Sequence, residues 1–140
     1  MDRKAEAKWS GDLKSGKGMV KLGSGAFEGP YSFNSRFESG TGTNPEELLG
    51  AAHAGCFTMA LSHALATAGH APTNVTTTAT VHLEKAEGKF SITGIDLVTR
   101  GQVPGVSEAD FQRLAQEAKT NCIVSRALST VPMKLDAQLV

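Results

Sequence analysis

Residues 43–69 read TNPEELLGAAHAGCFTMALSHALATAG, and the fold turns on how this stretch is interpreted. Asn44 is a side chain that caps helix N-termini, Pro45 suits the first helical position, and Glu46 and Glu47 place two acids where the helix dipole favours them. The helix is expected to run to about Ala68, with Gly69 or His70 ending it ahead of Pro72. No Asp, Glu, Lys or Arg occurs between Glu47 and Glu84. At ~20 residues the segment is long enough for a bilayer. It is built, however, of Ala, Gly, Ser and Thr more than of Leu, Ile and Val, and it carries His53 and His63. That composition points to a buried central helix instead of a membrane span.

Outward from this helix, the pattern changes to the period of two expected of strands. Arg3, Ala5, Ala7 and Trp9 alternate with Lys4, Glu6 and Lys8, and Gly-rich turns bracket a short strand over 19–22. Tyr31, Phe33, Ser35 and Phe37 alternate with Ser32, Asn34 and Arg36, which predicts a strand with Arg36 on its non-aromatic face. After the helix, Val75, Thr77, Ala79, Val81 and Leu83 alternate with polar residues, and Lys85 to Lys89 reads as a hairpin loop. The return strand changes phase between Ile92 and Ile95, so a bulge is expected near Gly94. Ser107 and Asp110 mark a second helix start, and Phe111, Leu114, Ala115, Ala118 and Cys122 form one helical stripe. Cys122 is thus expected to face the core at the end of that helix. A short turn and a last strand from Met133 complete an α+β chain, read as a single domain over 1–140.

The chain has 140 residues and a formal net charge of zero. With no basic surplus to neutralise phosphates, nucleic acid is excluded as an expected partner. Two cysteines are too few for a disulfide scaffold or a four-thiolate zinc site. The charged N-terminal residues contain no apolar stretch of the kind a secretory signal needs, and a cytoplasmic location is expected.

Cys56 has two readings, a small buried hydrophobe or a reactive thiol. A reactive thiol must ionise, and apolar burial opposes ionisation, so a cation has to come from elsewhere in the fold. Arg36 is the candidate, since a guanidinium stays charged and can fork onto a carboxylate. Of the two acids, Glu46 lies about 80° from the direction of Cys56 on a helical wheel, and Glu47 about 180°. Ten residues correspond to ~15 Å of helix rise, so Glu46 and Cys56 can share an arginine only through a partner chain or a broken helix. His53, Cys56 and His63 share a helical face, but no further ligand completes a metal site.

The run Asn44 to Leu61 resembles the signature helix of the superfamily of the osmotically inducible protein OsmC and the organic hydroperoxide reductases. The second cysteine, in Asn121-Cys122-Ile123-Val124-Ser125-Arg126-Ala127-Leu128, resembles its partner motif. The similarity extends to the N-terminal run through Trp9 and Leu13 and to Phe33-Asn34-Ser35-Arg36-Phe37. It implies antiparallel sheets with a long central helix and a second Cys-bearing helix, assembled as an intertwined homodimer with two interfacial sites. By the same resemblance, Cys56 matches the peroxidatic cysteine, Cys122 the resolving cysteine, Glu46 the carboxylate and Arg36 the arginine of the OsmC branch. Where Ile123 stands, the family commonly has proline.

The implied activity is a thiol peroxidase of oxidative and osmotic stress defence. It reduces organic, and more weakly inorganic, hydroperoxides to alcohols through a Cys56 sulfenic acid and a Cys56–Cys122 disulfide. No prosthetic cofactor is implied; a dithiol, lipoyl groups in similar proteins, is the reductant. Phe37, Phe57 and Met59 are expected to supply apolar walls for an organic peroxide. Two other readings stay open at this point. One is a non-catalytic module binding an apolar ligand at the dimer interface, and the other an acyl-transfer enzyme pairing Cys56 with His53 or His63.

Overall fold

The computed structural model describes residues 1–140, which divide into two compact units, Met1–Leu48 and Leu49–Val140. In the first unit, β1 (Ala5–Ser10), β2 (Lys17–Leu22) and β3 (Glu28–Tyr31) form an antiparallel sheet in that order. Gly18 pairs with Tyr31 across β2 and β3. A Cβ on Gly18 would lie 2.3 Å from the Tyr31 ring, so glycine there is what lets the aromatic lie flat on the sheet. Trp9 meets the same ring with centroids 5.3 Å apart.

The strand expected around Arg36 is not formed. Residues Phe33–Phe37 are instead a short helix, α1, and the cause is local. Ser32 Oγ accepts from the Ser35 backbone N–H while Ser35 Oγ accepts from the Ser32 N–H, a reciprocal cap that outweighs the aromatic alternation. Ser35 Oγ also donates to the Thr43 carbonyl at 2.7 Å, tying α1 to the segment that leads into the long helix.

That helix, α2 (Pro45–Thr67), is unbroken and begins as the residues predict, with Asn44 Oδ1 accepting from the Glu47 N–H at 2.8 Å. It ends at Gly69, whose φ of 88° suits glycine, and the His70 N–H returns to the Leu65 carbonyl. The expectation of a buried central helix holds for one face of it within this chain. Gly50, His53, Phe57, Leu61 and Leu65 form one buried stripe, whereas Ala51, Ala52, Gly55, Met59 and His63 are exposed. By length and composition alone α2 could cross a membrane, and 28% of its most apolar stretch is buried within the chain.

In the second unit, β4 (Asn74–Ala86) and β5 (Lys89–Gln102) make a long antiparallel hairpin. Its tip, Glu87-Gly88, has positive φ at both positions, the two-residue turn that matches strand twist. The register shifts between His82 and Leu83, which pair with Gly94 and Ile92, so Thr93 is the extra residue of the expected bulge. The last strand, β6 (Met133–Leu139), is the exception to antiparallel pairing and runs parallel to β5. Parallel neighbours need a crossover, which α3 (Glu108–Asn121) and α4 (Ile123–Ala127) supply. Phe57, Leu61 and Leu65 of α2, Ile95 and Leu97 of β5, and Phe111, Leu114, Ala115 and Ala118 of α3 close into one core. Burying each large side chain contributes about 1.5–3 kcal/mol.

Candidate functional site

The four candidate residues fall into two pairs, one in each unit. In the first unit, Arg36 of α1 and Glu46 of α2 are ion-paired. Arg36 Nη2 donates to Glu46 Oε1 at 2.8 Å, and Arg36 Nε to Oε2 at 3.2 Å. Glu46 is nearly buried, at 9% side-chain exposure, and Arg36 is 38% exposed. The carboxylate therefore fixes a guanidinium whose remaining N–H groups are free to reach outward. Glu47 is engaged separately, accepting from Thr43 Oγ1 at 2.7 Å. The guanidinium is not on a face free of aromatics: its carbon lies 5.0 Å from the centre of the Phe37 ring.

Beside Arg36 is a cavity of about 420 Å³, walled by Trp9, Leu13, Tyr31, Phe33 and Phe37. Only Phe37 of the expected apolar walls belongs to it. Phe57 is fully buried in the core of the other unit and Met59 is 75% exposed on α2. Trp9, Tyr31 and Phe33 were not singled out as site residues by sequence. Their signal was the aromatic spacing attributed to a strand.

In the second unit, Cys56 of α2 and Cys122 at the junction of α3 and α4 are both free thiols. Cys122 is 1% exposed, as the helical stripe predicts, and Cys56 is half-buried against the same core. Burial, the strongest single influence, pushes the Cys122 thiol up. The Ser125 backbone N–H and hydroxyl, the Cys56 side chain and the Val124 N–H together outweigh it, so the net direction is downward. Cys56 thus packs against the cluster that holds Cys122 and favours its ionisation, though the two lie at opposite ends of the unit's sequence. Cys122 serves as C-cap of α3 and N-cap of α4, with φ −56° and ψ 125°. Cys122 thus sits at the break between the two helices, and its side chain makes no cap hydrogen bond to the first turn of α4.

His53 was weighed in the sequence for metal binding and for pairing with Cys56. It is fully buried, and its Nε2 lies 2.7 Å from Ser125 Oγ. Its Nδ1 is buried with no partner, a rare state for a ring nitrogen. Burial alone lowers its pKa from the ordinary 6.5, which keeps the imidazole neutral. No group of three His, Cys, Asp or Glu side chains is placed to hold a metal ion. Ser125 was quoted in the second motif, but nothing in its spacing reveals its hydrogen bond with His53.

An α+β fold that sets two reduced cysteines side by side, one on a long helix and one at a helix break, defines a class of thiol redox protein. The model of the OsmC-like protein family matches residues 38–136, and the chain belongs to this family. It is 49% identical over 138 residues to the Peroxiredoxin OsmC of Escherichia coli (strain K12), covering 98% of this chain and 96% of that one. The Peroxiredoxin OsmC of Shigella flexneri matches to the same extent. Among solved structures, the organic hydroperoxide resistance protein OhrB of Bacillus subtilis superimposes with a TM-score of 0.75 at 27% identity, covering 96% of this chain and 98% of that one. An organic hydroperoxide resistance protein OsmC from Legionella pneumophila also gives 0.75, at 25% identity with 96% of both chains covered. The chain is accordingly an oxidoreductase of the peroxidase class.

Proposed function

We propose that the chain reduces organic hydroperoxides to alcohols with Cys56 as the attacking thiol and Cys122 as the resolving one. The observation that carries this reading is that two free cysteines, one half-open and one buried, belong to the same packed cluster. The Cys56 thiolate attacks the distal oxygen of ROOH, the O–O bond breaks, and RO⁻ leaves to take a proton as the alcohol. Cys56 is left as sulfenic acid. Cys122 sulfur then displaces hydroxide, which leaves as water, and the resulting disulfide is reduced by a small dithiol such as a lipoyl group. A cytoplasmic setting, where such dithiols stay reduced, suits this cycle.

Glu46 and Cys56 lie ten residues apart on unbroken α2, about 15 Å of rise. In the proposed arrangement 1–140 folds as a single domain in an intertwined homodimer, and the Arg36–Glu46 pair of one copy serves Cys56 of its partner. There the guanidinium offsets thiolate charge and holds the peroxide. The aromatic cavity beside Arg36 supports organic substrates over hydrogen peroxide, because an alkyl or aryl tail leaves water on entering it.

Intact-mass measurement after one equivalent of cumene hydroperoxide tests the reading. The expected result is a loss of about 2 Da per chain, replaced in Cys122→Ser by a gain of about 16 Da, and no turnover in Cys56→Ser. Two unreactive thiols would instead point to a module that binds an apolar ligand without catalysis.

A further inference from the structure

His53 and Ser125 have no part in the peroxidase reading, yet each lies close in sequence to one of its cysteines. His53 precedes Cys56 by three residues on α2, and Ser125 follows Cys122 by three in α4. Residues three apart on α2 share a face. Cys122 is tied into the first turn of α4 through its carbonyl, which accepts from the Arg126 N–H at 3.0 Å. Between the two helices, His53 Nε2 lies 2.7 Å from Ser125 Oγ, with both side chains buried. This is the only side-chain hydrogen bond that joins α2 to α3 or α4.

Apolar burial fixes α4 only weakly. Ile123 is 74% exposed, Arg126 and Ala127 are exposed, and Val124 is partly covered, which leaves Ser125 as the one buried side chain of this helix. The ψ of 125° at Cys122 breaks the helical path, so α3 does not dictate the direction of α4. A buried hydroxyl is costly unless its hydrogen bond is made, and a hydrogen bond, unlike apolar packing, is directional. Burial keeps the imidazole neutral, and Nδ1 has no partner. The tautomer that strands no proton has Nε2–H donating to Ser125 Oγ and Nδ1 as a bare lone pair.

We infer that the His53–Ser125 hydrogen bond is a positioning latch that holds Cys122 within reach of Cys56 for disulfide formation. The latch rests on the proposed Cys56–Cys122 chemistry. In the step it serves, the Cys122 sulfur forms the S–S bond as the S–O bond of the Cys56 sulfenic acid breaks, and the thiol proton leaves with the hydroxide as water. The Cys56 sulfur falls from the sulfenic to the disulfide oxidation level while the Cys122 sulfur rises to it from the thiol. Neither His53 nor Ser125 exchanges a proton. They fix geometry through the single turn of chain between each of them and its cysteine. A thiol held beside its target reacts as if highly concentrated, and a misplacement of about 1 Å can cost a hundredfold.

Ser125→Ala and His53→Leu each break the bond, and the double variant exchanges the buried polar pair for an apolar one, which keeps folding largely intact. Fully reduced protein is mixed rapidly with one equivalent of cumene hydroperoxide in the absence of a dithiol, quenched, and weighed over a range of pH. Mass separates the gain of oxygen at Cys56 from its loss as the disulfide forms. In all three variants oxygen gain is expected at the wild-type rate and disulfide formation roughly tenfold slower. The double variant should be no slower than either single one, since one bond can be lost only once. The slowing should be the same factor at every pH, because no proton passes through the pair. Disulfide formation at the wild-type rate in the double variant, a double variant slowed by the product of the single effects, equal slowing of both steps, or a slowing that changes with pH overturns the latch and leaves the peroxidase reading standing. A wild-type chain that gains no oxygen at Cys56, or gains it and forms no disulfide, overturns the proposed chemistry and the latch with it.

Discussion

Replacing Glu46 by glutamine isolates what the carboxylate does for Arg36. The substitution keeps the shape but removes the charge that receives Nη2 at 2.8 Å and Nε at 3.2 and 3.3 Å. Breaking a fully buried pair costs about 3–5 kcal/mol, and an exposed pair is worth about 0.2–1 kcal/mol. Here one partner is 9% exposed and the other 38%, so solvent screens the guanidinium and the expected loss lies between, at about 1–2 kcal/mol. With a urea slope of about 2 kcal/mol/M, the middle of the usual range, the unfolding midpoint should fall by roughly 0.5–1 M. Activity should suffer as well, because the arginine remains but is no longer held. A tenfold lower kcat/KM toward cumene hydroperoxide corresponds to about 1.4 kcal/mol of lost transition-state stabilisation, less than the cost of deleting an oriented donor outright. Glu47→Gln, one residue along, removes a charge beside Thr43 and none from Arg36, and should leave kcat/KM within a factor of about two. Wild-type midpoint and wild-type kcat/KM in Glu46→Gln would refute the idea that this carboxylate positions the arginine.

Three further outcomes follow from the same structure. Ser32→Ala removes the cap that makes residues Phe33–Phe37 helical, and should lower stability by about 1 kcal/mol while raising KM, since Arg36 and the aromatic wall ride on that turn. Gly101→Ala would set a Cβ 2.6 Å from the buried Phe111 ring, so urea unfolding should show a loss of about 1–3 kcal/mol with the redox step unaffected. The third concerns acid. His53 has a folded pKa below its ordinary 6.5, so the native state binds its proton more weakly than the unfolded chain does. Its contribution to stability is complete above pH 6.5 and is lost as pH falls through the lower folded value. Urea midpoints measured downward from pH 7 should therefore drop more steeply in the wild type than in His53→Gln.

The sequence displayed some parts of this molecule and hid others for physical reasons. Helix α2 announced its start because Asn44, Pro45 and the two acids act within one turn, and its end because Gly69 must adopt positive φ. The hairpin and its bulge were legible in the alternation of β4 and β5, since a shift of phase is all that a bulge is. Arg36 was placed on the wrong element because aromatic alternation over seven residues is a weaker instruction than two serine hydroxyls bonding the backbone three residues away. The proximity of Cys56 to Cys122, and of His53 to Ser125, is long-range. Neither periodicity nor spacing encodes it, and for the cysteines only the resemblance to a family supplied the expectation.

Helix α2 itself shows how an absence of charge can be read too simply. A helix apolar on all sides is expected to be covered on all sides, yet this one buries a single stripe within its own chain. The open face carries Ala51, Ala52, Gly55 and His63, small or polar residues that let another backbone approach closely, together with Met59 at 75% exposure. A lipid-facing helix would spread large aliphatic side chains there, and a solvated one would spread charges. Small residues around one flexible thioether suit a protein surface, and in the proposed homodimer that surface is the second copy. Met59→Lys leaves the buried stripe intact while placing a charge in the middle of the open face. By light scattering it should yield a folded monomer at concentrations where the wild type is a dimer. A dimer of unchanged affinity would place the contact elsewhere and remove the helix from the proposed interface.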